Sequence, residues 1–365
     1  MGTLVLALLM GCLLWSGVLA SSTPAKVSDL GASTHTLVGG IAGGQILYRL
    51  APTARERQLS AIQTNGLRFV RTDLFWAEVE PRPGVFRWVQ ADAFMAALAR
   101  HHLDWLIILD YSSPWAARQP NLQTSPPGKN VYYLEYARAV ARRYGYGGVF
   151  WKEHSRLPKY PVTAFEVWNE PDSSTFWTPT PEPAAYARLY VATRRILHEV
   201  DPGVEVISGG LAAYPVQASY YFIHAMFSAV PSLRKELDAF GWHAYAPNAA
   251  TAIERIRTVR AILRAEGAGQ VPIEITEFGW PTSGIDAVSE AVRAEDLSTF
   301  VHAVASSGCG VGIMSAYDWL TSEENAADYQ DWFGLANLND TVKPAGLAYT
   351  SAVQAAANET ETGSC

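Results

Sequence analysis

Short apolar runs alternate with longer amphipathic stretches from about residue 37 to the end of the chain. Runs of four to eight apolar residues predict strands buried on both faces, and stretches with apolar positions three and four apart predict helices with one covered face. The strands predicted this way are Leu37 to Ile41, Leu67 to Asp73, Trp105 to Tyr111, Thr163 to Trp168, Val204 to Ser208, Ala239 to Tyr245, Ile273 to Glu277 and Gly312 to Tyr317. The helices are Thr53 to Thr64, Val89 to His101, Val131 to Tyr144, Pro183 to Val200, Ala250 to Ala265, Ser289 to Ser306 and Pro344 to Ala356, with a shorter one near Ser219 to Ala229. Eight strand–helix alternations predict an α/β fold, a single (β/α)8 TIM barrel, in which a parallel sheet closes on itself inside a ring of helices.

An open doubly wound sheet is the competing architecture, and it usually carries a phosphate-binding glycine turn after its first strand. Gly39-Gly40-Ile41-Ala42-Gly43-Gly44 lacks the GxGxxG spacing and is followed by no Lys-Ser/Thr pair, so neither a dinucleotide fingerprint nor a P-loop is present. Pro171 to Pro183 and Asn121 to Lys129 read as long loops. The expected organisation is a leader over 1–20, an N-terminal segment over 21–36, one catalytic domain over 37–357 and a polar tail over 358–365.

Residues 1–20 carry no charged side chain and end in Val18-Leu19-Ala20 before Ser21, which reads as a signal peptide cleaved after Ala20. An uncleaved membrane anchor is the alternative, since a span needs roughly 20 apolar residues; Leu9-Met10-Gly11-Cys12 bears a faint likeness to a lipoprotein cleavage site. The expected location is therefore secreted, periplasmic or extracellular, with no membrane span in the mature chain. Past the leader only Cys309 and Cys365 remain, which is no disulfide framework, and a large barrel does not need one. Asn339-Asp340-Thr341 and Asn358-Glu359-Thr360 match the glycosylation sequon.

Of the 365 residues, 49% are hydrophobic and 17% charged, a composition that can bury a large core. The net charge of −7, with no Lys/Arg run, gives no footprint for nucleic acid. The histidines show no HExxH spacing, so no catalytic metal or other cofactor is expected, and no GxSxG elbow points to an esterase.

In a barrel of this kind chemistry belongs at the C-terminal ends of the strands. The fourth strand ends in Asn169-Glu170-Pro171, and the seventh in Glu277-Phe278-Gly279-Trp280. Two glutamates at roughly opposite mouths can face each other across a cleft, and cleavage of a glycosidic bond with retention needs such a pair roughly 5–5.5 Å apart: one to protonate the departing oxygen, the other to attack the anomeric carbon. Glu166 and Glu274, inside the same strands, read instead as structural carboxylates.

At these motifs the sequence resembles the clan A glycoside hydrolases, with Trp168-Asn169-Glu170-Pro171 similar to their acid/base segment and Thr276-Glu277-Phe278-Gly279-Trp280 to their nucleophile segment. The likeness extends through Val70-Arg71-Thr72-Asp73, Trp76, Glu80-Pro81, Pro83-Gly84, Trp88, Asp110-Tyr111, Pro114-Trp115-Ala116 and Gly241-Trp242-His243-Ala244-Tyr245, over about residues 37 to 350. Among the clan's families it looks most like family 39, then family 5. The resemblance implies a retaining hydrolase of β-linked oligo- or polysaccharides, an exopolysaccharide among the candidates, with Glu170 as acid/base and Glu277 as nucleophile. It further implies that Arg71 keeps Glu277 ionised, that Tyr245 orients it, that Asn169 binds the sugar 2-hydroxyl, and that His243 lines the cleft. Trp319 falls where the clan's eighth-strand tryptophan floors the subsite. Trp76, Trp115, Trp177 and Trp280 are candidates for further sugar platforms, because an indole face suits the apolar face of a sugar. Asp110 and Tyr111 compete for the clan's extra polar residue at the third strand. Transglycosylation by the same residues, or carbohydrate binding on a barrel that has lost catalysis, are the other functions the sequence allows.

Overall fold

The computed structural model describes residues 37–357, 359 and 363–365. The proposed leader, the segment before residue 37 and the sequon at Asn358 lie outside the described residues. Eight parallel strands, β1 (Val38–Ala42), β2 (Phe69–Phe75), β3 (Asp104–Asp110), β4 (Ala164–Val167), β5 (Glu205–Ser208), β6 (Phe240–His243), β7 (Ile273–Phe278) and β8 (Val311–Tyr317), form one sheet in the order β5-β4-β3-β2-β1-β8-β7-β6. The seam between β5 and β6 is held by parallel bridges, Ile207 to Ala239 and Leu211 to Trp242, so the sheet curls into a (β/α)8 barrel. Gly241 permits that seam: a Cβ there would sit 2.1 Å from the Ser208 carbonyl oxygen.

Helices between the strands cover the outside, among them Pro52–Thr64, Val89–Arg100, Asn130–Tyr144, Pro183–Val200, Ala249–Ala265, Glu290–Ala305 and Pro344–Ala356. Their apolar faces and the outward faces of the strands make the main core, which buries Leu59, Phe94, Tyr136, Tyr190, Ile256 and Phe300 completely. The expected short helix before β6 is longer than its pattern suggested, Val216–Ala229, and a one-turn helix, Leu233–Glu236, follows it.

The inside of the barrel is built in layers, because side chains two apart on a strand share a face. Val38, Phe69, Leu106, Ala164, Ile207, Ala239 and Ile313 form a separate apolar cluster, one residue from each of seven neighbouring segments, and plug the base. Two residues further along, Arg71, Glu166 and Ser315 occupy the middle. Two further still come Asp73, Asp110, His243 and Tyr317, at the mouth, whereas Trp168, at positive φ, turns to Tyr133 and Trp177. The polar layers thus rest on an apolar floor that excludes water from beneath.

Cys309 and Cys365 are joined in a disulfide that closes a separation of 56 residues. The sequence reading foresaw no disulfide framework, and this single bond instead staples the chain's end to the turn before β8. Among the described residues no helix is long and apolar enough to cross a membrane.

Candidate active site

Arg71 rises from the middle of β2 and is 2% exposed. Its Nε and Nη2 donate to the two Glu166 carboxylate oxygens at 2.5 and 3.0 Å, its Nη1 to Glu277 Oε1 at 2.6 Å, and its Nη2 also to Asn169 Oδ1 at 2.9 Å. One cation therefore organises three strand ends. Glu166 completes its shell with the Gly210 backbone N–H at 2.8 Å and the Thr276 hydroxyl at 3.2 Å, so it serves as a buried counter-ion within the scaffold.

Glu277 Oε2 accepts from the Tyr245 hydroxyl at 2.7 Å. Burial works to raise its pKa, but the positive charges of His243 and Arg71, with hydrogen bonds from Tyr245 and Arg71, hold it below the usual carboxylate value. Glu170 is the opposite case. Burial, and then the negative charge of Glu277, raise its pKa above the ordinary value against the pull of His243. His243 itself, wholly buried, has its Nδ1 2.9 Å from Glu170 Oε1 and 3.5 Å from Glu277 Oε2. Burial opposes its charge, yet Glu277 and Glu170 prevail and raise its pKa above the imidazole value.

A carboxylate oxygen of each glutamate and a ring nitrogen of His243 lie within 4.8 Å of one another. Such a trio is geometrically able to hold a cation. Here, however, Glu277 is already neutralised by Arg71 and hydrogen-bonded by Tyr245, and the His243 nitrogen is engaged with Glu170, so the donor set is spoken for by hydrogen bonding.

The backbone around Glu170 is bent to place it. Trp168 and Glu170 both adopt positive φ, 68° and 45°, a region that side-chain-bearing residues enter only when their surroundings enforce it. The enforcing contacts are the Trp168 indole N–H on the Phe176 carbonyl at 2.7 Å and the Glu170 N–H on the Gly210 carbonyl at 3.1 Å. Gly210 has no room for a side chain, since a Cβ would lie 2.2 Å from the His243 ring and 2.5 Å from the Thr276 hydroxyl.

Arg71, Asn169, Glu170, His243, Tyr245 and Glu277, the set the resemblance implied, are brought together around one cleft. Four of the tryptophans named as sugar platforms are not placed to serve. Trp319 is fully buried and donates its indole N–H to Gln58 on the outer helix Pro52–Thr64 at 2.8 Å. The interior period of β8 runs Ile313, Ser315, Tyr317, and therefore delivers Tyr317 to the mouth, where its ring meets Tyr245 and Phe333 edge-on at 6.3 and 5.3 Å. That two-residue period was the signal available in the sequence. Trp280 is 3% exposed, donating to the Ala246 carbonyl and packing edge-on against Phe300. Trp76 and Trp177 are buried among Tyr133, Tyr136, Trp168 and Tyr186. None of the four offers a free ring face. Trp115, half-buried, lines a groove of about 490 Å³ with Phe86, Tyr132 and Arg138, and neither Glu170 nor Glu277 lines it. Of the two competitors at the third strand, Tyr111 packs against Trp168 and Phe75, while Asp110 is buried beneath the mouth.

No protein-family model matches the chain. A β-xylosidase of Geobacillus stearothermophilus is 27% identical over 207 residues, which is 51% of this chain and 40% of that protein, so the chain matches well under half of the relative's length. Among solved structures, a GH5_18 protein of Streptomyces cattleya in complex with GlcNAc superposes with a TM-score of 0.69 at 18% identity, covering 91% of this chain and 83% of that one. A family 39 glycoside hydrolase of Bacteroides cellulosilyticus gives 0.61 at 18% identity over 89% of this chain and 64% of that one. Xylanase 10B of Thermotoga petrophila with xylobiose gives 0.61 at 14% identity over 92% and 99%. In its barrel, and in the segment shared with the β-xylosidase, the chain resembles the glycoside hydrolases of clan A.

Proposed function

We propose that this protein is a retaining glycoside hydrolase that cleaves a β-linked oligo- or polysaccharide by double displacement, with Glu277 as nucleophile and Glu170 as acid/base. The observation that carries the reading is the pair itself: two carboxyl groups within 4.8 Å whose surroundings drive their proton affinities in opposite directions. Retaining enzymes hold their carboxyls roughly 5–5.5 Å apart, whereas inverting ones need about 6.5–9.5 Å to admit a water.

In the first step a Glu277 oxygen forms a bond to the anomeric carbon as the bond to the departing oxygen breaks and Glu170 gives that oxygen its proton. In the second, Glu170, now a carboxylate, takes a proton from water; the water oxygen bonds to the anomeric carbon and Glu277 leaves with its electron pair. Asn169, whose Oδ1 is fixed on Arg71, has its amide nitrogen free to donate to a sugar hydroxyl. Tyr245 fixes the rotation of the attacking carboxylate. The β-xylosidase and the xylobiose-bound xylanase among similar proteins make β-xylosides the first substrates to try, with exopolysaccharides next. Secretion belongs to the same proposal, and the Cys309–Cys365 disulfide supports it, because such bonds persist in oxidising compartments.

The test is chemical rescue. Glu277→Ala is expected to lose activity on aryl β-glycosides and to recover part of it with azide, giving the glycosyl azide of inverted configuration. An alanine variant with undiminished activity contradicts the assignment.

A further inference from the structure

Two carboxyl groups in the mouth layer take no part in the steps above. Asp73 and Asp110 stand on neighbouring strands, where the register sets Asp73 beside Ile108 and Phe75 beside Asp110. Asp110 is 0% exposed, and neither of its carboxyl oxygens receives a hydrogen bond from the described residues. The side chain beside it on the interior face of the neighbouring strand is Asp73, another acid. Two carboxylates in that position cannot both be ionised, and one shared proton converts the conflict into a hydrogen bond. Burial first, and Asp73 second, raise Asp110 well above the usual carboxylate value, which favours the proton on Asp110.

Asp73 is the exposed partner of the two. It is only half-buried, it lies two residues beyond Arg71 on the same face of β2, and the Gln45 amide donates to its Oδ2 at 3.2 Å and to its carbonyl at 3.4 Å. Arg71, on that face, reaches Glu277, so Asp73 stands one layer nearer the open end of the same barrel interior. A carboxyl group with an acid below it and an amide on one side is a receptor for neutral hydroxyl donors. A cation fits poorly, because the Gln45 amide already meets this carboxylate and the Arg71 guanidinium stands two residues away on the same face, and binding one would favour loss of the Asp110 proton inside the wall.

We propose that Asp73 determines sugar specificity by accepting hydrogen bonds from adjacent hydroxyls of the sugar held in the mouth, with Asp110 as a protonated donor beneath it and Gln45 fixing its rotation. The proposal rests on the glycosidase reading and names what that site recognises.

The experiment measures kcat/KM for 4-nitrophenyl β-xyloside, β-glucoside and β-mannoside, and for their analogues lacking one ring hydroxyl, in the wild type, Asp73→Ala, Asp110→Asn and Asp110→Ala. Asp73→Ala should lower kcat/KM about 10- to 100-fold on the complete glycosides, as loss of a charged hydrogen bond does, and change little on the analogue that lacks the recognised hydroxyl. Asp110→Asn should stay near wild type, because its amide still donates to Asp73, while Asp110→Ala should fall toward Asp73→Ala. Equal losses on every glycoside, deoxy analogues included, or an Asn variant no better than Ala at position 110, overturn the proposal. The infrared carbonyl band of a protonated carboxyl, present at neutral pH and lost in Asp110→Asn, reads the acid pair without any substrate, and its absence overturns that half alone. A wild type that cleaves none of the glycosides, with the band present, removes the hydrolase reading and the hydroxyl-binding role while leaving the shared proton in place.

Discussion

Glu170 and Glu277 have the same side chain and, in the proposed reaction, opposite tasks, and the difference between them comes from what each touches. Glu277 has Arg71 and the Tyr245 hydroxyl on its two oxygens; Glu170 has the His243 ring and a negative neighbour. Activity needs Glu277 ionised, which holds above its pKa, and Glu170 protonated, which holds below its own. With the first lowered and the second raised, the kcat/KM profile is expected to be bell-shaped, its acid limb below and its alkaline limb above the ordinary carboxylate range. Glu170→Gln should abolish the alkaline limb and slow substrates with poor leaving groups far more than those with activated ones. A variant that keeps the limb would assign it to another group. Arg71 carries the same logic into stability. Arg71→Met leaves Glu166 and part of Glu277 buried without their cation, and an equilibrium denaturation curve should show a loss of about 3–5 kcal/mol.

At the level of elements, the site depends on segments that close on one another with little spare room. Gly210 passes under His243, gives its N–H to Glu166 and its carbonyl to Glu170. Gly210→Ala should therefore displace the His243 ring, cost about 1–3 kcal/mol of stability as overpacking does, and lower kcat more than KM is raised; steady-state kinetics beside a thermal melt checks both. Much of this level is visible in the sequence. The eight strands and most helices follow from apolar period, and the two glutamates stand out because a strand end is the one place where a carboxylate borders both core and cleft. The tryptophans were not legible, because an indole ring suits a sugar and a packed loop equally. Trp76, Trp177, Trp280 and Trp319 went to other rings, to the Ala246 carbonyl and to the Glu80, Glu182 and Gln58 side chains, whereas Tyr317, which the interior period of β8 delivers, went to the mouth. The Asp73–Asp110 pair was equally hidden, since its meaning lies in the absence of a donor that only three-dimensional neighbours reveal.

Across the whole molecule, the apolar floor and the helical ring supply the stability, and the disulfide adds a staple at the chain's end. Closing a loop of 56 residues removes about 4 kcal/mol of freedom from the unfolded chain in the entropic account. Cys365→Ser should thus lower the melting temperature by roughly 5 °C and leave kcat unchanged, because the bond lies at the turn before β8, at the opposite end of the barrel from the mouth. A variant with lower activity at full stability would tie the tail to the site. The barrel sets Glu170 just beyond β4 and Glu277 on β7, and the proposed double displacement gives these two residues its two chemical roles. That assignment is tested most directly by incubating the protein with an activated 2-deoxy-2-fluoro-β-glycoside, digesting it, and weighing the peptides. The account predicts one sugar per chain, esterified to Glu277, and a β-configured first product from the natural glycoside; a label on any other residue, or an α-configured first product, contradicts it.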